Sequence, residues 1–405
     1  MTISLIVFLL VYIGMGLGGV PGLALDRTGI ALLGLIALIG TETMTLAEAA
    51  SAVDTPTIAL LFALMIISAQ FEQSGFYRWV AVRVTNAAQS PKSLLAAVIG
   101  ATGFLSALLT NDVVVFALTP LLCGGILALN LDVRPYLMGL AGAANAGSAA
   151  TLIGNPQNIL IGQAGKLDFW NYIMFALPPT LATLGIIYGA ILLTWRLEPA
   201  KAIKQAQAFQ LDRYQLGKAI LAVTALIGLF LTPLSREVSA LAIAGALLLS
   251  RRLSSRDMIG AVDWHLLLMF ICLFGVTEAF SRTGLAQQGL AWLGQIGLYP
   301  DHVTLMAPVT VLASNTIGNV PFVVLFIKLL PNLGAGPFYG LAMLSTFAGN
   351  FLLTGSICNI IVAERAALHG AKLSFVDFAR SGIPITVLSI AVTIGWLLLT
   401  KLLAL

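Results

Sequence analysis

Long runs of apolar residues follow one another along almost the whole chain, and short segments between them hold most of the charged residues. Runs such as residues 181–193 and 383–399 contain no charged residue at all. The alternation of apolar and polar residues that is typical of an outer-membrane barrel is missing. Because a membrane-spanning helix needs about 20 mostly apolar residues, the pattern predicts an all-α polytopic membrane protein with about ten spans.

The composition agrees with this pattern. Of the 405 residues, 59% are apolar and only 9% are charged, whereas an ordinary soluble protein has about 25% charged residues. A soluble fold is therefore excluded, and a lipid bilayer is the expected surrounding. Three cysteines, Cys123, Cys272 and Cys358, lie inside apolar runs and suggest neither a disulfide framework nor a metal site.

The chain contains an internal duplication. Segments 52–76 and 261–285 align without a gap, and further motifs align in the same order. The corresponding pairs are Asp54 and Asp263, Gly75 and Gly284, Asn111 and Asn319, and Asn158 and Asn359. The sequence thus divides into a first repeat, residues 1–195, a linker, residues 196–217, and a second repeat, residues 218–405.

Each repeat is expected to cross the membrane an odd number of times. The predicted spans lie near residues 3–24, 27–44, 55–71, 134–163 and 172–195, and near 218–234, 236–251, 263–281, 336–363 and 381–403. An odd number of spans predicts two inverted repeats, as in many secondary transporters. With the linker in the cytoplasm and both termini outside, most Lys and Arg residues fall on the cytoplasmic side, which meets the positive-inside rule. Residues 75–90 are expected to form a helix that lies on the inner interface.

Two further apolar stretches, residues 93–129 and 302–331, are interrupted by polar residues at their centres. Both ends of each stretch are expected on the same side of the membrane, so each is predicted to form a re-entrant hairpin. The first tip holds Thr110, Asn111 and Asp112, and the second holds Ser314, Asn315, Thr316 and Asn319. Irregular backbone at membrane depth survives only inside protein or beside a wet cavity, so the two tips are expected to meet near the midplane.

The span after each hairpin carries residues that break a helix. The predicted breaks contain Gly154, Asn155, Pro156, Gln157 and Asn158 in the first repeat and Gly355, Ser356 and Asn359 in the second. The half-helix ends would offer amide groups to an anion and carbonyl groups to a cation. The alternative is that these residues are ordinary kinks. Asp112 is the one acid expected at the midplane, either as a functional carboxylate or as a cap of the helix that follows.

These motifs resemble those of the ion transporter superfamily, which includes divalent-anion/sodium symporters, arsenite permeases and NhaD-type antiporters. The resemblance rests on residues 106–122, 145–162, 314–324 and 355–366 and covers essentially the whole chain. It is strongest for the YbiR-like permeases of the bacterial inner membrane. The resemblance implies a homodimer, an elevator-like movement of the hairpins and broken spans against a scaffold, and a sodium site at the tips. Candidate sodium ligands are Asn111, Asp112, Asn315 and Asn319.

The predicted function is secondary active transport of a small anion or oxyacid, such as arsenite, across the inner membrane. The named site residues are amides and hydroxyls with one carboxylate, which suits an oxyacid better than a dianion. The coupling ion is H⁺ or Na⁺, and no cofactor, nucleic acid or enzymatic activity is expected. A sodium/proton antiporter and a sodium-coupled carboxylate symporter are the alternatives.

Overall fold

The computed structural model describes residues 2–18, 22–87, 89–197, 211–331 and 333–402. Within these ranges the chain forms α-helices and one short 3₁₀ turn, with no β-strand. The predicted all-α fold is confirmed. Residues 198–210, the centre of the predicted linker, lie outside the described ranges.

The described part of the first half contains ten α-helices. They are α1 (Thr2–Leu17), α2 (Arg27–Gly40), α3 (Leu46–Ala52), α4 (Thr55–Gln73), α5 (Phe76–Ala87), α6 (Pro91–Leu108), α7 (Asn111–Ala128), α8 (Arg134–Ser148), α9 (Pro156–Ala164) and α10 (Phe169–Thr194). Helix α5 lies within the predicted helix at 75–90, whose position on the inner interface stays a prediction, whereas the short helix α3 is not anticipated by the sequence pattern.

The second half repeats this order. Its helices are α11 (Arg213–Leu229), α12 (Arg236–Leu248), α13 (Ser255–Gly260), α14 (Trp264–Ser281), α15 (Leu285–Gln295), α16 (Val303–Thr316), α17 (Asn319–Leu329), α18 (Ala335–Ala348), the 3₁₀ turn Leu353–Gly355, α19 (Ile357–Ala367) and α20 (Phe375–Leu399).

Polar side chains determine where many of these helices begin. Asp54 and Asp263 accept backbone hydrogen bonds at the starts of α4 and α14, and a carboxylate satisfies amide groups that have no partner within the helix. Helices α10 and α20 begin earlier than the predicted spans. The reason is that Asp168 and Ser374 cap them at positions 168 and 374.

Six helices in the described part are long and apolar enough to cross a membrane: α4, α6, α7, α10, α14 and α20. Four shorter helices, α1, α2, α16 and α17, are also apolar. The protein is therefore a multi-pass membrane protein. The count of about ten spans, the re-entrant hairpins, the inverted orientation and the division into two repeats and a linker stay predictions.

Helices of the first half pack against helices of the second half, and these contacts occur in corresponding pairs. Helix α2 packs against α14 and α4 against α12, while α7 packs against α19 and α9 against α17. Helix α1 also packs against α14, where the rings of Phe8 and Phe280 stack 3.9 Å apart, next to a hydrogen bond between Tyr12 and Thr277. Helices α8 and α18 also touch, so the two broken helices are brought together in the interior.

Candidate functional site

The first candidate tip is the junction between α6 and α7. Leu109 and Thr110 have extended backbone there, so the two helices are separate. The Asn111 amide donates a hydrogen bond to the carbonyl oxygen of Gly154 at 2.9 Å, and the Asn111 side chain accepts one from the Asp112 amide at 3.0 Å. The first tip therefore lies directly against the first helix break.

The second tip joins α16 to α17 and has a similar arrangement. Gly318 has a φ of 96°, a backbone conformation that favours glycine. The Asn315 side chain donates to the Ala348 carbonyl at 2.9 Å and accepts from the Leu352 amide at 3.1 Å. A β-carbon at Gly355 would collide with the Asn315 side-chain oxygen. The second tip thus lies against the second break.

The structure places Pro156, Gln157 and Asn158 in the first turn of α9 and Asn359 in the first turn of α19, so the breaks themselves end at residues 155 and 356. After each break one buried asparagine satisfies loop carbonyls. Asn158 donates to the Thr151 carbonyl at 3.1 Å, and Asn359 donates to the carbonyls of Gly349 and Leu352 at 2.7 and 3.1 Å. Asn155 caps α9 by accepting from the Asn158 amide at 2.8 Å. Because buried backbone groups need partners, these amides allow the helices to stop inside the protein.

Two residues that the sequence reasoning missed connect the breaks. Asn145 on α8 donates to the side-chain oxygens of Asn350 and Asn359 at 2.9 and 3.0 Å, and it accepts from Ser356 at 2.9 Å. The Thr346 hydroxyl on α18 lies 3.3 Å from Asn155 and Asn158 side-chain atoms. All of these side chains are buried. A polar residue inside an otherwise apolar segment was the signal available for both.

A cavity of about 820 Å³ opens at the first tip. It is lined by Thr110, Asp112 and Pro156 at its inner end and by charged residues toward its mouth, namely Glu72, Arg256, Asp257 and Asp263. Four carboxylates thus line it with one guanidinium. Thr110 is 2% exposed and its hydroxyl has no hydrogen-bond partner in the described structure, so a bound solute or ion could satisfy it. The Asp112 carboxylate accepts a hydrogen bond from the Cys358 thiol at 3.0 Å.

Five other candidate residues do not line this cavity and are at most 1% exposed, namely Asn155, Gln157, Asn158, Ser314 and Asn359. The Ser314 hydroxyl, like that of Thr110, has no hydrogen-bond partner in the described structure. Thr316 is exposed, and its hydroxyl donates to carbonyls of its own helix. Asn319 lies near Gly349 at the second break, whereas Asn111 lies at the first. Among the residues described here, no group of three or more His, Cys, Asp or Glu side chains could hold a metal ion. A sodium ion at the tips would depend largely on carbonyl, amide and hydroxyl oxygens.

Residues 7–339 match the family model described as citrate transporter, CitMHS. The chain belongs to the citrate transporter family. This membership confirms the resemblance to the ion transporter superfamily and the prediction of a secondary transporter rather than an enzyme.

Several known proteins are similar to this member of the citrate transporter family over most of their length. The silicon efflux transporter LSI3 of Oryza sativa is 26% identical, with 93% of each chain covered. The putative transporter arsB of Dictyostelium discoideum is 22% identical, covering 91% of this chain and 87% of its own. The crystal structure of the Alcanivorax borkumensis YdaH transporter has a TM-score of 0.56 at 18% identity, covering 98% and 97%. The solved structure supports the fold alone.

Proposed function

We propose that the protein is an ion-coupled secondary transporter that moves a small oxyacid or monovalent anion across the bacterial inner membrane. The observation that carries the proposal is the unpartnered Thr110 hydroxyl beside the Asp112 carboxylate at the inner end of the 820 Å³ cavity. A carboxylate in the membrane interior is expensive unless it is paired, hydrated or protonated. Asp112 therefore binds the coupling H⁺ or Na⁺, and the solute binds next to it.

The charge of the cavity favours a neutral or singly charged solute. Four carboxylates and one guanidinium line it, and like charges repel strongly where water is scarce. A multiply charged anion would meet this repulsion on its whole path to Asp112, whereas an oxyacid such as arsenite is uncharged near neutral pH. A relative named for silicon efflux fits a small oxyacid better than the citrate of the family description.

The proposed architecture consists of two inverted repeats, each with a re-entrant hairpin and a broken span. The matched packing of α7 on α19 and α9 on α17 supports it, because exchanged contacts of this kind follow from a two-fold relation between the halves. The hairpins and broken spans form the transport part, and the first three spans of each half form the scaffold. An elevator-like movement, a homodimer, external termini and a cytoplasmic linker complete the proposal, on the resemblance and the charge pattern.

The two other functions each have a supporting feature. The acidic cavity also suits sodium/proton antiport, since carboxylate, carbonyl and amide oxygens bind small cations. The Ser-Asn-Thr sequence at 314–316 and the family description favour a sodium-coupled carboxylate symporter. In that case Asn315 and Asn319 would hold sodium at the second tip, and Asn111 and Asp112 would do so at the first.

Reconstitution of the purified protein in liposomes tests these functions. Under an imposed H⁺ or Na⁺ gradient, we expect accumulation of arsenite or another small oxyacid but not of citrate. Asp112→Asn should abolish accumulation against a gradient while the protein still inserts and folds. Asp257→Asn is the matched control, because it removes an exposed carboxylate from the same cavity and should retain coupled transport.

Other outcomes would point elsewhere. Exchange of Na⁺ for H⁺ with no oxyacid transport would replace the proposal by the antiporter. Sodium-driven citrate uptake would replace it by the symporter. Equal coupling in the Asp112→Asn variant and the parent would leave Asp112 a structural helix cap.

A further inference from the structure

Two arginines occupy corresponding places in the two halves. Arg27 begins α2 after the cap Asp26, and Arg236 begins α12 after Ser235. The distance along the chain between the two arginines equals that between Asp54 and Asp263. Although their places correspond, the two side chains have different partners.

Arg236 connects the scaffold to a broken span. Its guanidinium donates to the carbonyl oxygens of Gly162 and Leu167, at 3.2 and 2.8 Å, at the end of α9. The adjacent Glu237 accepts a hydrogen bond from the Gln163 amide at 3.2 Å. Carbonyl groups at a helix C-terminus attract a cation, and a guanidinium can contact two of them at once. Helix α12 therefore holds the end of α9.

Arg27 makes no hydrogen bond of this kind to α19, although the Glu364 carboxylate on that helix attracts its guanidinium. Its guanidinium donates to the Met15 carbonyl at 3.1 Å, within its own half. It lines a cavity of about 620 Å³ whose other lining residues include Ala363 and Glu364 on α19. These two residues correspond to Gly162 and Gln163, by the spacing that relates Asn158 to Asn359. The cavity thus lies where the first contact has its counterpart.

The cavities beside the two arginines also differ in volume, and the larger ones lie beside Arg27. On the Arg27 side, the 620 Å³ cavity shares Asp263 and Ile361 with the 820 Å³ cavity. The corresponding residues in the other half, Asp54 and Leu160, line a cavity of only about 180 Å³. The structure therefore has the large cavities on the side where Arg27 makes no hydrogen bond to the broken span, and only the small cavity on the side where Arg236 makes two.

We propose that Arg27 and Arg236 are reciprocal positioning residues, each of which holds a broken span when its own side of the transporter is closed. The inference rests on the proposed alternating transport. In the opposite state Arg236 releases the end of α9, and Arg27 leaves the Met15 carbonyl for the end of α19 near Ala363 and Glu364. Arg27 would exchange the Met15 carbonyl for carbonyls at the end of α19, so the exchange does not leave its partly buried charge unpaired.

Thiol labelling at two corresponding positions tests this proposal. Leu160 lines the small cavity and is 3% exposed, whereas Ile361 lines both large cavities. In the otherwise unchanged protein, whose native cysteines are buried, Ile361→Cys should react with a small polar thiol reagent faster than Leu160→Cys. Arg236→Ala should raise the rate at Leu160→Cys and lower the rate at Ile361→Cys. Loss of two charge-assisted hydrogen bonds predicts changes of at least about tenfold.

Opposite changes in the labelling rates at Leu160→Cys and Ile361→Cys distinguish a positioning role of Arg236 from a general loss of stability. Arg236→Lys keeps the charge and one carbonyl contact and should restore most of the parent pattern. Arg27→Ala should leave Leu160→Cys slow and keep Ile361→Cys fast under transport conditions. If Arg236→Ala accelerates both positions, or neither, the proposal is wrong.

Disulfide trapping gives a second measurement that does not need the arginine variants to fold. Cysteines at Gln163 and Glu237 should cross-link in the state described here, whereas cysteines at Thr28 and Glu364 should cross-link only in the opposite state. Each cross-link should stop transport, and reduction should restore it. If the parent protein transports its solute but the variant with cysteines at 28 and 364 never cross-links, the arginine exchange alone is wrong. Absence of coupled transport in the parent would instead overturn the proposed function.

Discussion

Asn145→Ala is the substitution that most directly tests whether the two helix breaks act as one unit. The Asn145 amide is fully buried and makes three side-chain hydrogen bonds, to Asn350, Ser356 and Asn359, all at 2.9–3.0 Å. Its partners lie on the far half of the chain. Truncation at Cβ removes all three bonds and introduces no new group.

The expected cost follows from the environment of these bonds. Hydrogen bonds between helices in membrane proteins contribute about 0.6 kcal/mol each on average and up to about 1.7 kcal/mol. The substitution also leaves the oxygen of Asn350 without its Asn145 donor in the interior, which adds a desolvation cost. Together these terms predict a loss of about 2–4 kcal/mol in the free energy of unfolding.

Reversible unfolding in detergent micelles measures this loss. Thr183→Val is the matched control, because the Thr183 hydroxyl is buried without a hydrogen-bond partner and its removal should cost nothing or stabilise. In a double-mutant cycle with Asn359→Ala, the combined loss should be smaller than the sum of the single losses. A loss below about 0.5 kcal/mol for Asn145→Ala, or strict additivity, would refute the view that the network joins the breaks.

Two further predictions concern packing and pH. Gly147→Ala would place a methyl group on the backbone of α6 and should cost about 1–3 kcal/mol of unfolding free energy, whereas Gly100→Ala, with open space around it, should be neutral or stabilising. Hydrogen bonds from Thr45, and then from Arg282, lower the pKa of Glu48 from 4.5 to about 2. The stability advantage of the parent over Glu48→Gln should therefore be complete above pH 4.5 and disappear as the pH falls toward 2, as measured by unfolding across that range.

Local sequence signals were sufficient for most of the helices and for all four breaks. Pro156 follows the first break and Gly318 lies at the second tip, and each residue acts through its own backbone. Helix starts such as that of α10 were less well predicted, because a single capping side chain, Asp168, extends the helix beyond the most apolar run.

The interior of the candidate site was harder to predict. The sequence predicts that the breaks offer amides and carbonyls to a solute, whereas in the structure Asn158 and Asn359 are buried and bind loop carbonyls rather than line the cavity. Asn145 and Thr346 were missed because their partners lie far away in the sequence. Only the packing of α8 against α18 brings these groups together, and no pattern within either segment specifies that packing.

The duplicated fold makes the residues that break its symmetry informative. By the spacing that relates Asn111 to Asn319, Val320 occupies the position that corresponds to Asp112, so one tip has a carboxylate and the other an apolar side chain. An ion that needs a carboxylate can therefore bind at the first tip only.

A second asymmetry concerns the closed side. The ion pair between Lys328 on α17 and Glu278 on α14 is 2.5 Å long, and the corresponding positions in the first half are Pro120 and Ala69. The open side thus has no matching ion pair to close it. A partly exposed ion pair contributes up to about 1 kcal/mol, enough to bias two otherwise equivalent states several-fold toward the one described here. Substitution of Lys328 by alanine should remove this bias while leaving both arginine contacts available. Under the proposed alternation between two related states, the unmatched residues determine which of the two is preferred.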